Sequence, residues 1–438
     1  MTTTALEVQK VETAPAVSKL DVSVVLPAWN EAENVRRIIP QLRRVLEKAR
    51  LTYEITVVVP SLEDGTVAAC RELSVTALPQ KDPGYGGALR AGFDAAKGEY
   101  ILTLDADCSH DPSAALSMLE ARHKADMIIG SRYARFGHSQ AGWFRDSLSR
   151  VLNGFLRGVL GVPVQDMTSG FRLYRRRIFD EVKTWGRDFD ALPEILVIAY
   201  ALGFSVHEVP FHYRPRAAGV SHARVLKFGV RYLKLAWRLW WLRYSYFSAD
   251  YDQRAFYSRI PLQKYWQRKR YEIILGYLEQ GPAILDIGCG TSMVIMALPE
   301  AVGLEVAFKK LRFLRQLGRR LTAGVLKRLP FGERQFDQVI CSEVIEHISM
   351  DEISFEEMKR VLKPGGVLVI GTPDYGTWVW PFIEWCYKRV MPGGYSDEHI
   401  THFTAKSLRE HLEKTGFEVV ETKWIMGGEM IMKARLRG

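Results

Sequence analysis

At 438 residues the chain is too long for a single ordinary domain and suits two or three. Its 47% hydrophobic and 25% charged content excludes a disordered or fibrous polymer. Lys and Arg number 60 against 50 Asp and Glu, and the resulting +10 favours anionic partners: phosphorylated small molecules, an anionic membrane surface or nucleic acid.

The five cysteines, Cys70, Cys108, Cys289, Cys341 and Cys386, are scattered, odd in number and without a C-x-x-C pair. No disulfide frame or zinc site is expected, and a reducing compartment is. The first residues lack a charged-then-apolar signal pattern, so secretion is not expected. Residues 1–19 have no clear period and read as a mobile tail.

A strand is predicted over residues 22–26, running into PAWNEAENV, with an amphipathic helix over 33–46. A second strand covers 54–59 and ends in the turn PSLEDGT. KDPGYGGALRAG, residues 81–92, is a glycine-rich loop opening a helix, a form that lets backbone N–H groups approach phosphate. The run ILTLDADCSHDP, residues 101–112, then places an apolar strand directly before Asp105 and Asp107. Residues i and i+2 of an extended segment face one side, and two carboxylates at a strand's exit can hold a hard divalent cation and, through it, a diphosphate.

This order of strand, helix, strand, glycine loop, helix, strand and DAD resembles family 2 glycosyltransferases of the GT-A fold, in the dolichyl- or polyprenyl-phosphate mannose (or glucose) synthase branch. The likeness covers about residues 20–245 and includes IIGSRY (128–133) and VQDMTSGFRLYRR (164–176). The resemblance implies that Pro27, Glu31, Asp64 and Gly86 border the nucleotide. Asp105 and Asp107 would hold Mg²⁺ or Mn²⁺ with the donor diphosphate. It also implies that Arg132 and Arg172 face phosphate, while Asp166 orients or deprotonates the acceptor. Val59 and Pro60 stand where the family carries an acidic pair beside base and ribose, which leaves the donor open between GDP- and UDP-linked sugars. With a lipid phosphate as acceptor little base catalysis is needed, and the work is positioning and charge neutralisation.

RPRAAGVSH, residues 214–222, resembles the branch's basic loop, with His222 in place of a lysine. Arg224, Lys227, Arg231, Lys234 and Arg238 then recur at helical spacing among Leu, Tyr and Trp. A helix over 224–244 is long enough to cross a bilayer, but each central Arg or Lys costs roughly 2.5–3.5 kcal/mol there. The pattern predicts a helix lying in the membrane interface. Nothing resembles a base-reading module, so nucleic acid is not expected as a partner.

Residues 248–270 read as a linker becoming a lead-in helix. PAILDIGCGTS, residues 282–292, is a strand entering a glycine turn. With VGLEVA, LPFGERQFDQVICSEVIEHI (329–348), RVLKPGGVLVIGTP (360–373) and the section 399–421, it resembles Rossmann-like methyltransferases that use S-adenosylmethionine. The resemblance spans about 255–435. It implies that Asp286, Gly288 and Gly290 admit the methionine part of the cofactor, that Glu305 takes the ribose, and that Glu343 lies in the same site. Val325 occupies a position where relatives place an aspartate toward adenine. A base helps if the acceptor is a sugar hydroxyl, and His347, His399 and His402 are candidates, His347 first.

The expected architecture is α/β throughout: a tail (1–19), a GT-A domain (20–222), a basic aromatic helix and linker (223–254) and a methyltransferase domain (255–438). The expected function is metal-dependent sugar transfer to a polyprenyl-phosphate-like lipid, with methylation of a hydroxyl on the product or a related glycolipid. The expected location is peripheral, on the cytoplasmic face of a membrane, or cytoplasmic. Two rival readings fit the same residues: a methyltransferase whose first domain only binds a glycan or lipid, and a membrane-bound scaffold in which neither site turns over.

Overall fold

The computed structural model describes residues 20–140, 142–214, 225–390 and 399–437. The chain forms two compact units: the described residues of Met1–Arg157 with Pro163–Ile195 and Val206–Arg231, and Gly158–Val162 with Leu196–Ser205 and Tyr232–Gly438.

The first unit begins with the apolar strand β1 (Val22–Pro27), followed by α1 (Ala32–Lys48), β2 (Tyr53–Val59), α2 (Thr66–Glu72), β3 (Thr76–Pro79), α3 (Tyr85–Ala95) and β4 (Tyr100–Thr103). Helix α1 buries Val35, Ile38, Ile39, Leu42 and Leu46, the spacing of one helical face. Then come α4 (Ser113–Glu120), β5 (Met127–Ser131), β6 (His138–Ser139), α5 (Trp143–Leu160), β7 (Arg172–Arg175), α6 (Ile178–Glu181), α7 (Ala191–Ala201), β8 (Val206–Pro210) and β9 (His212–Tyr213). The main sheet runs β3-β2-β1-β4-β7-β5-β8, and β6 pairs with β9. Within the main sheet only β7 runs against its neighbours β4 and β5. Its entry loop, 166–171, therefore reaches the same sheet edge as the exits of β1, β2, β4 and β5. That edge is where open α/β sheets bind ligands.

Helix α8 (Val225–Tyr244) precedes α9 (Tyr251–Phe256) and α10 (Pro261–Tyr277). The second unit continues through β10 (Ile284–Ile287), α11 (Met293–Ala297), β11 (Val302–Glu305), α12 (Phe308–Gln316), β12 (Arg320–Ala323) and β13 (Phe336–Ser342). A 3₁₀ turn (Ile345–His347), α13 (Phe355–Val361), β14 (Leu362–Pro373), α14 (Val379–Val390), α15 (Ala405–Thr415), β15 (Phe417–Ile425) and β16 (Glu429–Leu436) complete it. The sheet order is β12-β11-β10-β13-β14-β16-β15, with β10 to β14 parallel and the last two strands antiparallel. Arg243, near the end of α8, is fully buried. It forms a two-pronged ion pair with Asp250 at 2.7 and 2.9 Å and donates to the Leu160 carbonyl at 3.0 Å.

Candidate active sites

In the first unit the exits of three adjacent strands bring the expected nucleotide-side residues together. Pro27 ends β1, and the Asn30 amide just beyond donates to the Asp64 carboxylate at 3.1 Å. Asp64 also accepts from the Thr66 amide at 2.8 Å, while the Glu31 amide donates to the Thr66 hydroxyl at 3.0 Å. Asp64 thus ties the loop after β1 to the loop after β2. Val59 is buried at the end of β2, with Pro60 exposed beside it.

Asp105 and Asp107 follow β4. Asp105 accepts from the Tyr85 hydroxyl at 2.9 Å, and its amide donates to His110 Nδ1 at 3.0 Å. Asp107 accepts from the Ser109 amide at 3.0 Å, and Cys108 between the two carboxylates has a φ of 61°. A non-glycine residue in that region is worth a functional look, since it costs on the order of 1–3 kcal/mol. A side chain at Gly170 would meet the Tyr85 hydroxyl at 2.5 Å and Asp105 Oδ1 at 3.3 Å, so only glycine leaves this carboxylate its place. Tyr213 closes the group. Its ring lies 5.7 Å from the Arg132 guanidinium carbon, and burial together with the charges of Asp107 and Asp105 raises its hydroxyl pKa.

Three expectations need correction here. Asp166 is no acceptor-side base: it is fully buried and takes the Arg132 Nε, Nη2 and backbone amide at 2.7, 2.7 and 3.0 Å. Burial opposes its charge, but those bonds and the Arg132 charge outweigh it and hold the carboxyl below the ordinary aspartate range. Asp166 instead positions Arg132, whose Nη2 also reaches the Thr168 hydroxyl at 2.9 Å. Arg172 does not face phosphate. It is fully buried and donates to the carbonyls of Ser169, Leu192 and Met167 at 2.8, 2.7 and 2.7 Å, bracing the loop that carries Asp166. Gly86 presents no free amide either. Its N–H donates to the Arg187 carbonyl at 2.8 Å, and a Cβ there would lie 2.1 Å from the Gly186 oxygen. Gly86 admits a close crossing by the backbone at Gly186 and Arg187.

In the second unit the exits of β10, β11, β12 and β13 line a cavity of about 970 Å³. Asp286, Gly288, Gly290, Glu305, Glu343 and His347 all line it, as does Val325. Gly288 and Gly290 have φ of 62° and 53°, and a Cβ on Gly288 would lie 2.3 Å from the Val344 side chain. Glu305 accepts from the amides of Gly290, Val306 and Ala307, each at 2.9 Å. Asp286 is buried with Oδ2 lacking a hydrogen-bond partner, and burial joined by the Glu305 charge pushes its pKa up to about 8. Glu343, at a φ of 59°, lies 2.9 Å from Arg270.

The set fits S-adenosylmethionine in kind. The two glycines open the floor, the orphaned Asp286 oxygen is a partner for an ammonium group, and Glu305 Oε2, which accepts from one amide only, keeps a second lone pair for a ribose hydroxyl. Two carboxylates also fit a divalent ion in kind: Asp105 and Asp107 would hold it in the first unit, with a diphosphate to supply the remaining oxygens.

Comparison with known proteins adds the family. The glycosyl transferase family 2 profile matches residues 23–183. A polyprenol monophosphomannose synthase of Mycolicibacterium smegmatis is 33% identical over 214 residues, 45% of this chain and 79% of that protein. The chain belongs to glycosyl transferase family 2. A dolichol-phosphate mannosyltransferase of Pyrococcus furiosus is 32% identical to this glycosyltransferase, over 46% of the chain and 59% of that protein. An undecaprenyl-phosphate 4-deoxy-4-formamido-L-arabinose transferase of Aeromonas hydrophila is 26% identical, over 48% and 64%. A methyltransferase domain profile matches residues 285–370, so the glycosyltransferase carries a methyltransferase domain in the same chain.

Several site residues escaped the sequence reading. Tyr85, His110 and Tyr213 surround the glycosyltransferase carboxylates, and an aromatic or His in a loop gives no signal of its own. Asp252 was read as linker, yet it accepts from the Thr291 amide at 2.9 Å and Lys310 at 3.1 Å at the mouth of the glycine turn. Of the three histidines, His347 and His399 come together with rings 4.9 Å apart, while His402 is exposed and stacks on Tyr375.

The basic helix also lies partly in view. Arg224 and the basic loop beyond Arg214 fall outside the described residues, as does the side chain of Lys227. Arg231 pairs with Asp188, and Lys234 and Arg238 are exposed beside Leu233 and Trp237. No described helix is long and apolar enough to cross a membrane.

Proposed function

We propose that the chain transfers a sugar from a nucleotide-sugar donor to a polyprenyl-phosphate-like lipid, with Mg²⁺ or Mn²⁺ at Asp105 and Asp107, and methylates a hydroxyl of the product or a related glycolipid from S-adenosylmethionine. The observation that carries the first part is the convergence of Asp105, Asp107 and the Asp166-locked Arg132 on one sheet edge. This domain aligns over most of a protein named for polyprenol monophosphomannose synthesis. Cation and arginine would neutralise the diphosphate leaving group, and the acceptor phosphate needs no base. The methyl part rests on the cavity with Glu305 and Asp286 at its strand exits.

The same reading places the chain peripherally on an anionic, cytoplasmic membrane face. Helix α5 exposes Phe144, Leu148, Val151 and Phe155 at helical spacing, flanked by the exposed Arg145 and Arg157. Helix α8 exposes Leu233, Trp237 and Trp241 beside Lys234 and Arg238.

Thermal-shift titration with GDP- and UDP-sugars, with and without Mn²⁺, beside Asp105→Ala is the test. Nucleotide-selective, metal-dependent stabilisation lost in the variant supports the reading. No shift with any donor would favour the second reading, a methyltransferase whose partner domain only binds glycan or lipid. Val59 and Pro60 at the end of β2 are the observation behind that reading.

A further inference from the structure

We propose that Glu346, His347 and His399 form a divalent-cation site at the wall of the methyltransferase cavity, with the buried Glu346 behind the two histidines that line it and open positions for the oxygen of the methyl acceptor. The three side chains each offer a ligand atom, and these atoms lie within 4.8 Å of one another; among the described residues they are the cluster with that property. Backbone bonds bring the distant His399 to the turn. The amides of Ile400 and Thr401 donate to the Glu346 carbonyl at 2.7 and 3.1 Å, and the Thr401 hydroxyl donates to the Ile348 carbonyl at 2.7 Å.

A second, independent observation points to a ligand. Glu346 is fully buried, its Oε2 accepts from the Thr372 hydroxyl at 3.1 Å, and its Oε1 has no hydrogen-bond partner. His347 Nε2 lies 3.8 Å from that oxygen, too far for a hydrogen bond; a buried carboxylate oxygen without one is costly, and a cation between the two satisfies it. The surroundings of His399 match the outer contacts that orient a ligating imidazole. Its Nδ1 lies 2.9 Å from the Tyr375 hydroxyl and 3.5 Å from Glu384, so ligation would run through Nε2. His347 and His399 line the same cavity as Gly288 and Glu305, which places the cation beside the cofactor rather than elsewhere on the unit.

Two imidazoles and a carboxylate suit a borderline ion such as Mn²⁺, Fe²⁺, Co²⁺ or Zn²⁺ better than Mg²⁺ or Ca²⁺, which prefer all-oxygen shells. Three protein ligands leave coordination positions for one or two acceptor hydroxyls. The acceptor class is therefore an alcohol, and best a vicinal diol such as a sugar offers. Bound there, the hydroxyl loses its proton to water, and its oxygen lone pair forms the new O–CH₃ bond. The S–CH₃ pair returns to sulfur, leaving a neutral thioether. This use rests on the methyltransferase reading; the binding of the cation does not.

The test is equilibrium dialysis of the full chain against Co²⁺ and Mn²⁺, with metal analysis and Co²⁺ visible absorption. The parent is the Asp105→Ala/Asp107→Ala chain, which removes the donor-site ion. The parent should retain one equivalent, with an absorption band typical of nitrogen ligands. His347→Ala and His399→Ala should each weaken binding at least tenfold while still binding S-adenosylmethionine by calorimetry. Equal binding by parent and histidine variants would overturn the site, as would a parent that binds no ion. If either variant fails to fold, Mn²⁺ broadening of the His347 and His399 ring resonances in the parent decides instead, and unbroadened rings overturn it. Cofactor binding without cation binding would sink this site and leave the methyltransferase reading standing; the reverse would do the opposite.

Discussion

The two sites of this chain handle buried charge in opposite ways. In the glycosyltransferase the conspicuous charges are neutralised by the protein itself: Asp166 by Arg132, Arg172 by three carbonyls, Asp64 by two amides. In the methyltransferase, Asp286 and Glu343 in the cavity and Glu346 behind it each keep a buried carboxylate oxygen without a hydrogen-bond partner. Among the described residues, no fully buried carboxylate oxygen of the first unit is left so. Paired charges set a rigid frame around Asp105 and Asp107. Orphaned ones carry a desolvation cost that a cationic ligand would offset, so such a cavity would select for positive charge.

The sharpest way to break this comparison is Asp105→Ala. Removal of one of two cation ligands should lower sugar transfer by about 10²–10³-fold or more, as loss of a principal electrostatic group does. Transfer of a labelled sugar from the donor that stabilises the parent to polyprenyl phosphate measures it, and activity within tenfold of the parent would end the donor-site assignment. Next in size is Arg132→Ala, which strands a fully buried Asp166. Breaking such a pair typically costs about 3–5 kcal/mol, read as a lowered denaturant midpoint of the first unit. Arg243→Ala should cost the second unit a similar amount, since Asp250 then loses its two-pronged partner. If Arg132→Ala were as stable as the parent, the paired frame would not be what rigidifies the first site.

Smaller effects test the methyltransferase side. Gly288→Ala combines a positive φ with a Cβ 2.3 Å from Val344, and should cost about 1–3 kcal/mol while reducing cofactor affinity by calorimetry. The smallest expected effect is a pH dependence. The folded chain holds the Asp286 proton up to about pH 8, far above an unfolded aspartate. Folding without cofactor therefore weakens as pH rises from about 4 to 8, because the folded state binds more protons there. A positively charged cofactor prefers the ionised carboxylate, so its affinity should rise as pH passes from 6 to 9. Asp286→Asn should flatten that rise, and a parent affinity that stays level would remove Asp286 from the ammonium contact.

Local patterns made much of this legible. The apolar runs before Asp105 and Asp286 became buried strands, because four to six apolar residues bounded by turn-formers bury well in a parallel sheet. The predicted helix at 33–46 forms as Ala32–Lys48 with the expected face inward. Glu305, Gly288 and Gly290 lie where their positions after the strands of the methyltransferase unit imply, since each strand's exit sets the site in such sheets.

The roles of Arg172 and Asp166 were not legible, because a charged residue in a motif looks the same whether it meets a ligand or a carbonyl. Direction decided it. Strand β7 runs antiparallel, which buries Arg172 under the loop it braces and aims Asp166 at Arg132. Likewise Asp252 reads as linker in the chain, yet a helix of six residues sets it against the glycine turn. His399 meets Glu346 only through bonds that close across some fifty residues. By itself the sequence determined which segments form strands and helices, where the acidic exits and glycine turns fall, and hence the two-domain chemistry, because these follow from periodicity and short-range sterics. Tertiary structure alone decided which charges pair with one another and which buried carboxylate oxygens lack a hydrogen bond. That outcome depends on desolvation and on partners distant in the chain, and neither is encoded at the position itself.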